Sequence, residues 1–198
     1  FLARVIAQVN GTDAQFLCIT GDFIDAPGIT EQELSALRDC RVPIYFSIGN
    51  HERYEDLDAI LQRLARLGVT VLRTQSALHG AVQLIGIDDS ENPAQVQREL
   101  AKLTVDTERF VLLLYHRPRG LPDAARAGVD LMISGHTHNG QIVPFNLVVG
   151  RVFEQIVGLF THGQTQLYVS PGTGTWGPVM RLGSRGEVTL FEVLPAAV

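Results

Sequence analysis

Residues 16–25 read FLCITGDFID, and this stretch sets the expectation for the fold. Residues 16–20 form a short apolar and partly β-branched run, which is typical of a buried strand. The run ends at Gly21, and the polar Asp22 follows directly. Polar residues also follow three further apolar runs, 43–48, 110–115 and 129–134, and in the first and last of these a glycine comes between. Because the carboxyl ends of neighbouring strands share one edge of an open α/β sheet, we expect these polar residues to converge.

Helical periodicity appears between the predicted strands. The strongest is at 57–67, where leucine and isoleucine recur at three and four residues before Gly68, which predicts a helix with a left-handed cap. Helices are also predicted at 1–9, 30–40, 92–103 and 122–127, and further strands at 69–73, 82–87, 166–170 and 187–193. This alternation predicts a layered α/β domain with mixed sheets and helices outside.

Length and charge exclude several classes of protein. The 198 residues predict a single domain over 1–198, and a net charge of −5 without a Lys/Arg block argues against binding of a nucleic-acid duplex. No apolar run approaches the roughly 18 residues that cross a bilayer, so the chain alone is expected to be soluble. It begins at Phe1 without an initiator Met, and we expect a piece of a longer protein.

The polar clusters at the predicted strand ends contain donors that suit a metal. They are Asp22 with Asp25, the stretch 49–52 reading GNHE, His116, and the stretch 135–138 reading GHTH. Each cluster alone is compatible with an ordinary turn or a surface histidine. Together they favour a hydrolytic centre of Mn, Fe, Zn or Ni, since oxygen donors stand beside imidazoles without thiolates.

In this order, GD-x-x-D, GNHE, a strand-terminal His and GHTH resemble the calcineurin-like metallophosphoesterase superfamily. The stretch 135–183, with GHTHNGQIVPFN, GLFTHGQTQLYVSPGTGTWGP and MRLG, resembles its bacterial membrane-associated phosphodiesterase branch. The resemblance covers essentially the whole chain and implies a four-layer αββα sandwich of two mixed β-sheets flanked by helices. It also implies a first strand ending in Asp-x-His, which is not found before Asp22, so we expect an N-terminally truncated domain.

The resemblance implies two divalent metal ions and a role for each motif. Asp22 would bridge both ions, and a metal-bound hydroxide would attack phosphorus while His51 protonates the leaving alkoxide or, alternatively, orients Asn50. Asp25 and Glu52 are expected to orient a histidine or the GNHE loop from behind the ligands. The remaining ligands would be Asn50, His116 and His136 at the second site and His138 at the first.

The substrate is only broadly indicated. Candidate contacts, each equally open to being a solvated loop residue, are Arg117, Arg119, Asn139, His162 and Trp176. The apolar segment 142–160 is expected to be a buried flap or, less favoured, a surface for a membrane or a lipid-like substrate.

The resemblance implies a metal-dependent phosphoester hydrolase, with a diester preferred and a small phosphoester or phospholipid-like molecule as substrate. The full-length protein would be associated with a membrane. The alternative is a non-catalytic interaction scaffold of the same fold, because some members of the superfamily have lost metal ligands. An amide-cleaving metallohydrolase is a weaker third candidate.

Overall fold

A computed structural model describes residues 1–194 and contains two β-sheets flanked by helices, as predicted. The first sheet has three strands, all parallel, in the order β1-β2-β3: β1 Leu17–Ile19, β2 Ile44–Phe46 and β3 Val69–Val71. The prediction of two mixed sheets is therefore right for the second sheet only, since the described strands of the first all run the same way.

The second sheet has six strands in the order β4-β5-β6-β7-β9-β8. Its four central strands are parallel, and the edge strands β4 and β8 pair antiparallel with their neighbours. The strands are β4 Gln75–His79, β5 Val82–Ile87, β6 Phe110–Tyr115, β7 Leu131–Ser134, β8 Gly158–His162 and β9 Thr165–Val169.

Five α-helices and three short 3₁₀ helices connect the strands in the described residues. The α-helices are α1 Leu2–Asn10, α2 Leu57–Arg66, α3 Gln95–Leu100, α4 Leu121–Ala127 and α5 Phe145–Val152. The 3₁₀ helices are Ser35–Asp39, Glu52–Tyr54 and His138–Gly140. Among the helices of residues 1–194, none has the length and apolar character that crossing a bilayer requires.

Side-chain alternation along the strands produces three apolar layers. Leu112 and Leu114 of β6 face the first sheet and pack in a cluster with Tyr45 of β2. Leu113, between them, points the other way, into the cluster beneath α3 and α4. The outer face of the first sheet is covered by α1 and α2. Because successive strand residues point to opposite faces, one apolar run serves two cores, and four layers result.

Two predicted elements differ from the structure. At 30–40 the capping box is present, since the Glu33 carboxylate accepts from the Thr30 amide at 2.7 Å, but the helix that follows is 3₁₀ over Ser35–Asp39. No strand forms at 187–193, which lies within the described residues. Both sides of β9 are already paired, so this segment packs through side chains: the Tyr168 hydroxyl donates to Glu187 at 2.6 Å.

The apolar segment 142–160 is not the buried flap that is expected from its composition. It forms α5 and the start of the edge strand β8. None of the eight residues of α5, all within the described part of the chain, is buried. The segment instead presents half-exposed apolar side chains on the outside of the protein.

Candidate metal centre

The polar clusters meet where the parallel strands of both sheets end. Gly21 follows β1 and Gly49 follows β2, and the two backbones lie so close that a Cβ atom on either glycine would collide with the other loop. Gly21 also has a φ of +91°, which glycine tolerates best. The two glycines therefore allow the Asp22 and Asn50 loops to touch, as the strand-end pattern predicts.

Asp22, His116 and His136 form the centre of the site. The Nε2 atom of His116 lies 2.9 Å from Oδ2 of Asp22 and 3.0 Å from Nδ1 of His136. Ligand atoms from these three residues all lie within 4.8 Å of one another, which is a spacing that could hold a metal ion. The three side chains come from the ends of β1, β6 and β7, so both sheets contribute.

The imidazole of His116 is oriented by a backbone carbonyl. Its Nδ1 donates to the carbonyl oxygen of Thr20 at 2.7 Å, and this leaves Nε2 facing Asp22 and His136. Metal-binding histidines are commonly held in this way, because the second nitrogen fixes the ring and its tautomer.

Burial and neighbouring charges set the protonation of these groups. Burial opposes ionisation of Asp22, but the hydrogen bond and charge of His116 dominate and lower the pKa of Asp22 to about 2. Burial, followed by the charge of His116, lowers the pKa of His136 to about 3, and burial lowers the pKa of His138 to about 4. At neutral pH Asp22 is thus anionic and His136 and His138 are neutral, which are the forms that bind a cation. Burial opposes protonation of His116, but the hydrogen bond and charge of Asp22 raise the pKa of His116, and a bound cation would displace this proton.

Asn50 adds an unsatisfied oxygen donor to the site. The residue is buried, and its Oδ1 atom has no hydrogen-bond partner within residues 1–194. A buried amide oxygen without a hydrogen-bond partner costs free energy, and binding of a ligand such as a cation would remove this cost. This orphaned oxygen, together with the carboxylate and imidazoles, fits a divalent metal.

Glu52 fastens the Asp22 loop to the Asn50 loop. Its carboxylate is 0% exposed and accepts four backbone N–H groups, from Asp22, Phe23, Ile24 and Gly49, at 2.7–2.9 Å. Burial, opposed by these amides, raises the pKa of Glu52. The sequence predicts that Glu52 orients the GNHE loop, and these contacts show how it would do so.

His51 lies at the rim of the site and is partly exposed. Its Nε2 is 3.9 Å from Oδ2 of Asp22, and its backbone N–H donates to Oδ1 of the same carboxylate at 2.9 Å. The ring packs edge-on against Tyr54, with 5.8 Å between centroids. His51 is therefore close to the centre and still open to a bound molecule.

His138 lies beside the central group rather than within it. Its ring stacks on Trp176 with 6.5 Å between centroids. The guanidinium of Arg181 and the hydroxyl of Ser184 both donate to the His138 carbonyl at 3.2 Å. Asn139 follows in the same 3₁₀ helix, where its N–H donates to the Thr137 hydroxyl.

Several residues predicted for the site lie away from the metal-binding group or already contact other side chains. Arg117 is buried and donates to Asp89, and Arg119 lies over the ring of Phe153. Asp25 is exposed. His162 pairs with Thr165 at the start of β9, at the opposite end of the sheet from the site, so the structure does not bring it to the predicted loops.

Gln141, Arg181 and Asp89 organise the site and are missed by sequence reasoning. The Gln141 amide bonds with the backbone N–H and C=O of Trp176 at 2.7 Å, which holds the loop after β9. Gln141 and Arg181 belong to the quoted motifs GHTHNGQIVPFN and MRLG. The sequence of a loop does not reveal, however, which groups its polar side chains contact. Asp89 is the second residue after the buried strand β5, and a polar residue so close to a strand end is a signal that could have identified it.

Backbone strain is concentrated here. In the described residues, six non-glycine residues have positive φ, and five of them are Asp22, His136, His138, Asn139 and Gln141. Such conformations cost free energy and cluster at functional sites.

Comparison with known proteins agrees with this geometry. Residues 1–140 match the family model for calcineurin-like phosphoesterases. The chain is 29% identical to an uncharacterized metallophosphoesterase of Helicobacter pylori, over 98% of this chain and 55% of that protein. It is 30% identical to a transmembrane protein with metallophosphoesterase domain of Danio rerio, over 95% of this chain and 48% of that protein.

The fold also resembles a solved structure, a putative 5′-nucleotidase from Staphylococcus aureus. The TM-score is 0.52 at 15% identity, over 87% of this chain and 43% of that one. The chain spans about half the length of the curated relatives it matches. With the family model covering most of its length, the chain belongs to the calcineurin-like phosphoesterases.

Proposed function

We propose that this chain forms the catalytic part of a metal-dependent phosphoester hydrolase that prefers diesters. The observation that carries the proposal is the group of Asp22, His116 and His136, whose ligand atoms lie within 4.8 Å of one another beside the unpaired oxygen of Asn50. Membership of the calcineurin-like phosphoesterase family supports the same chemistry.

Two divalent cations would be held by this set of residues. Asp22 would contact both, Asn50, His116 and His136 would complete one site, and His138 belongs to the other. The mixture of carboxylate, amide and imidazole donors suits Mn, Fe, Zn or Ni. Such ions, when bound, polarise a phosphoryl oxygen and make a nucleophilic water available near neutral pH.

His51 is proposed to donate the proton that the leaving oxygen needs. It is partly exposed, lies within 3.9 Å of the Asp22 carboxylate and is kept in place by its own backbone N–H. A proton donor needs access to the substrate as well as proximity to the reacting group. Glu52 would act on the reaction indirectly, by keeping the Asp22 and Asn50 loops together.

We further propose that the protein works at a membrane and that its substrate is phospholipid-like. In support, Phe145, Leu147, Val148 and Val152 on α5 are about half exposed or more, although they are apolar. Trp176, which stacks on His138, is also half exposed. The Danio rerio relative is named as a transmembrane protein.

The test combines metal content with turnover. We expect the protein loaded with Mn²⁺ and desalted to retain two ions per chain by elemental analysis, and to hydrolyse bis(p-nitrophenyl) phosphate faster than p-nitrophenyl phosphate. His136→Ala should lose both properties. The matched control is His162→Ala, which changes a histidine at the opposite end of the sheet and should keep both.

Each result has a defined meaning. Retention of metal without hydrolysis of either ester would favour the non-catalytic scaffold instead. A single ion with full activity would overturn the dinuclear part of the proposal. Absence of both metal and turnover in the wild type would overturn the proposal as a whole.

A further inference from the structure

A buried carboxylate outside the candidate metal ligands joins two arginines. Asp89 follows β5 and is 3% exposed. Its Oδ1 accepts from Nε of Arg117 at 2.6 Å, and its Oδ2 accepts from Nη2 of Arg117 at 3.3 Å and from Nη1 of Arg53 at 3.1 Å. Arg53 also donates to the backbone carbonyl of Asp89 at 3.1 Å.

The two arginines belong to the segments that carry the site. Arg117 is the residue after His116, which follows β6 of the second sheet. Arg53 lies in the 3₁₀ helix Glu52–Tyr54, which follows His51 in the loop after β2 of the first sheet. Asp89 therefore ties a strand-end segment of one sheet to a strand-end segment of the other.

The ion pairs of Asp89 are expected to fix the relative position of the two segments rather than to raise the free energy of unfolding. A buried ion pair gains little net free energy, because desolvation offsets the attraction, but loss of one partner leaves a buried charge unpaired. The Asp89 and Arg117 side chains are both nearly inaccessible, so the cluster resists displacement of either segment. Glu52, by contrast, links two loops of the first sheet only.

We propose that Asp89 is a positioning residue that sets the placement of His51 relative to His116 across the two sheets. Through Arg53 it holds the 3₁₀ helix beside the proposed proton donor, and through Arg117 it holds the backbone that carries a proposed ligand. This inference rests on the proposed function, because it assigns Asp89 to the assembly of that same site.

The ion pairs of Asp89 with Arg53 and with Arg117 predict separable effects. Arg53→Gln should weaken Mn²⁺ binding less than Arg117→Gln does, and it should depress turnover of phenyl diesters more than turnover of p-nitrophenyl diesters, because only poor leaving groups need a placed proton donor. Arg117→Gln should weaken Mn²⁺ binding, measured from the free-ion EPR signal without substrate, by about 10-fold. Asp89→Asn should show both effects.

The chain offers a matched control at the neighbouring position. Asp88 pairs with Arg73, which donates to it from Nε at 3.0 Å and Nη2 at 2.7 Å, but this ion pair reaches neither His51 nor His116. Asp88→Asn should therefore lower thermal stability without changing the leaving-group dependence or Mn²⁺ affinity. If Asp89→Asn fails to fold, the double variant Asp89→Asn/Arg117→Gln provides an uncharged pair for the same measurements.

A further readout separates this inference from the proposed function. Without metal, Asp89→Asn should shift the side-chain ¹⁵N resonances of His51 and His116, and Asp88→Asn should not. If Asp89→Asn matches Asp88→Asn in every measurement, the positioning role is wrong, while Mn²⁺ binding and turnover by the wild type would still support the proposed function. If the wild type neither binds Mn²⁺ nor hydrolyses diesters, the proposed function is wrong. The ¹⁵N resonances of His51 and His116 without metal would then be the test of the positioning role.

Discussion

At the scale of one residue, Glu52 is expected to matter most for assembly of the site. Glu52→Gln replaces an acceptor of four N–H groups with an amide that has one oxygen and an N–H₂ facing donors. Since a hydrogen bond to a charged group contributes about 1.5–3 kcal/mol, we expect a loss of about 3 kcal/mol in the free energy of unfolding. Urea denaturation monitored by circular dichroism would measure it.

Glu33→Gln is the control for this prediction. Glu33 also accepts backbone N–H at 2.7 Å, but it lies on the exposed surface beside Thr30. Water can replace its contacts, so its substitution should cost far less than that of Glu52. Equal losses for the two variants would show that burial of Glu52 has no special effect.

His51→Ala tests the proposed proton donor. We expect unchanged metal content by elemental analysis and a 10²–10⁴-fold lower kcat for diesters with poor leaving groups. Bis(p-nitrophenyl) phosphate should be affected much less, because nitrophenolate leaves without a proton. Equal losses across a series of leaving groups would argue against the assignment.

The sequence locates those site residues that come just after a predicted strand. Asp22, Asn50, His116 and His136 each follow a strand, and the structure brings their segments to one edge, as the pattern predicts. Arg117 has the same signal, but its partner Asp89 is 28 positions away in sequence. The pairing of two distant charges depends on tertiary structure, and no motif in the sequence specifies it.

At the scale of the element, α5 is the feature that tests membrane contact. Leu147→Ser/Val152→Ser removes two side chains that are each more than half exposed. Burying one such side chain contributes about 1.5–3 kcal/mol, so partial loss of both should weaken vesicle binding by about 10-fold. Co-sedimentation with phosphatidylglycerol-containing vesicles would measure this.

The control for α5 is Leu78→Ser, at an equally exposed leucine on the edge strand β4. It should leave vesicle binding unchanged. Phe153 is unsuitable for such a test, because its ring packs against His136 and Arg119. Vesicle binding that survives the double substitution in α5 would rule out docking through this helix.

Elements with long apolar runs or clear periodicity are predicted well from sequence. The strands β5 and β6 have the predicted bounds, and α2 lies within the predicted range. The edge strands β4 and β8 are missed. A strand at the edge of a sheet pairs on one side only, so its sequence does not need the continuous apolar run of a central strand. At 187–193 alternation predicts a strand, but both sides of β9 are already occupied, which sequence alone does not reveal.

At the scale of the whole molecule, the layer between the sheets is expected to determine stability. Leu114 is fully buried there. Leu114→Ala should lower the free energy of unfolding by about 2–5 kcal/mol, through lost burial and the cavity left behind. Urea denaturation should show one cooperative transition, as a single domain predicts, and Leu78→Ala should shift it by at most about 0.5 kcal/mol.

The stacking of Trp176 on His138 gives the protein an optical reporter. Trp176 is the single tryptophan of the chain and is 48% exposed, so all indole emission comes from one side of the proposed metal centre. Zn²⁺ does not itself quench fluorescence, and a change of emission during a Zn²⁺ titration would therefore report occupation at His138. The His138→Ala variant should remain silent, so the site can be followed in real time without a label.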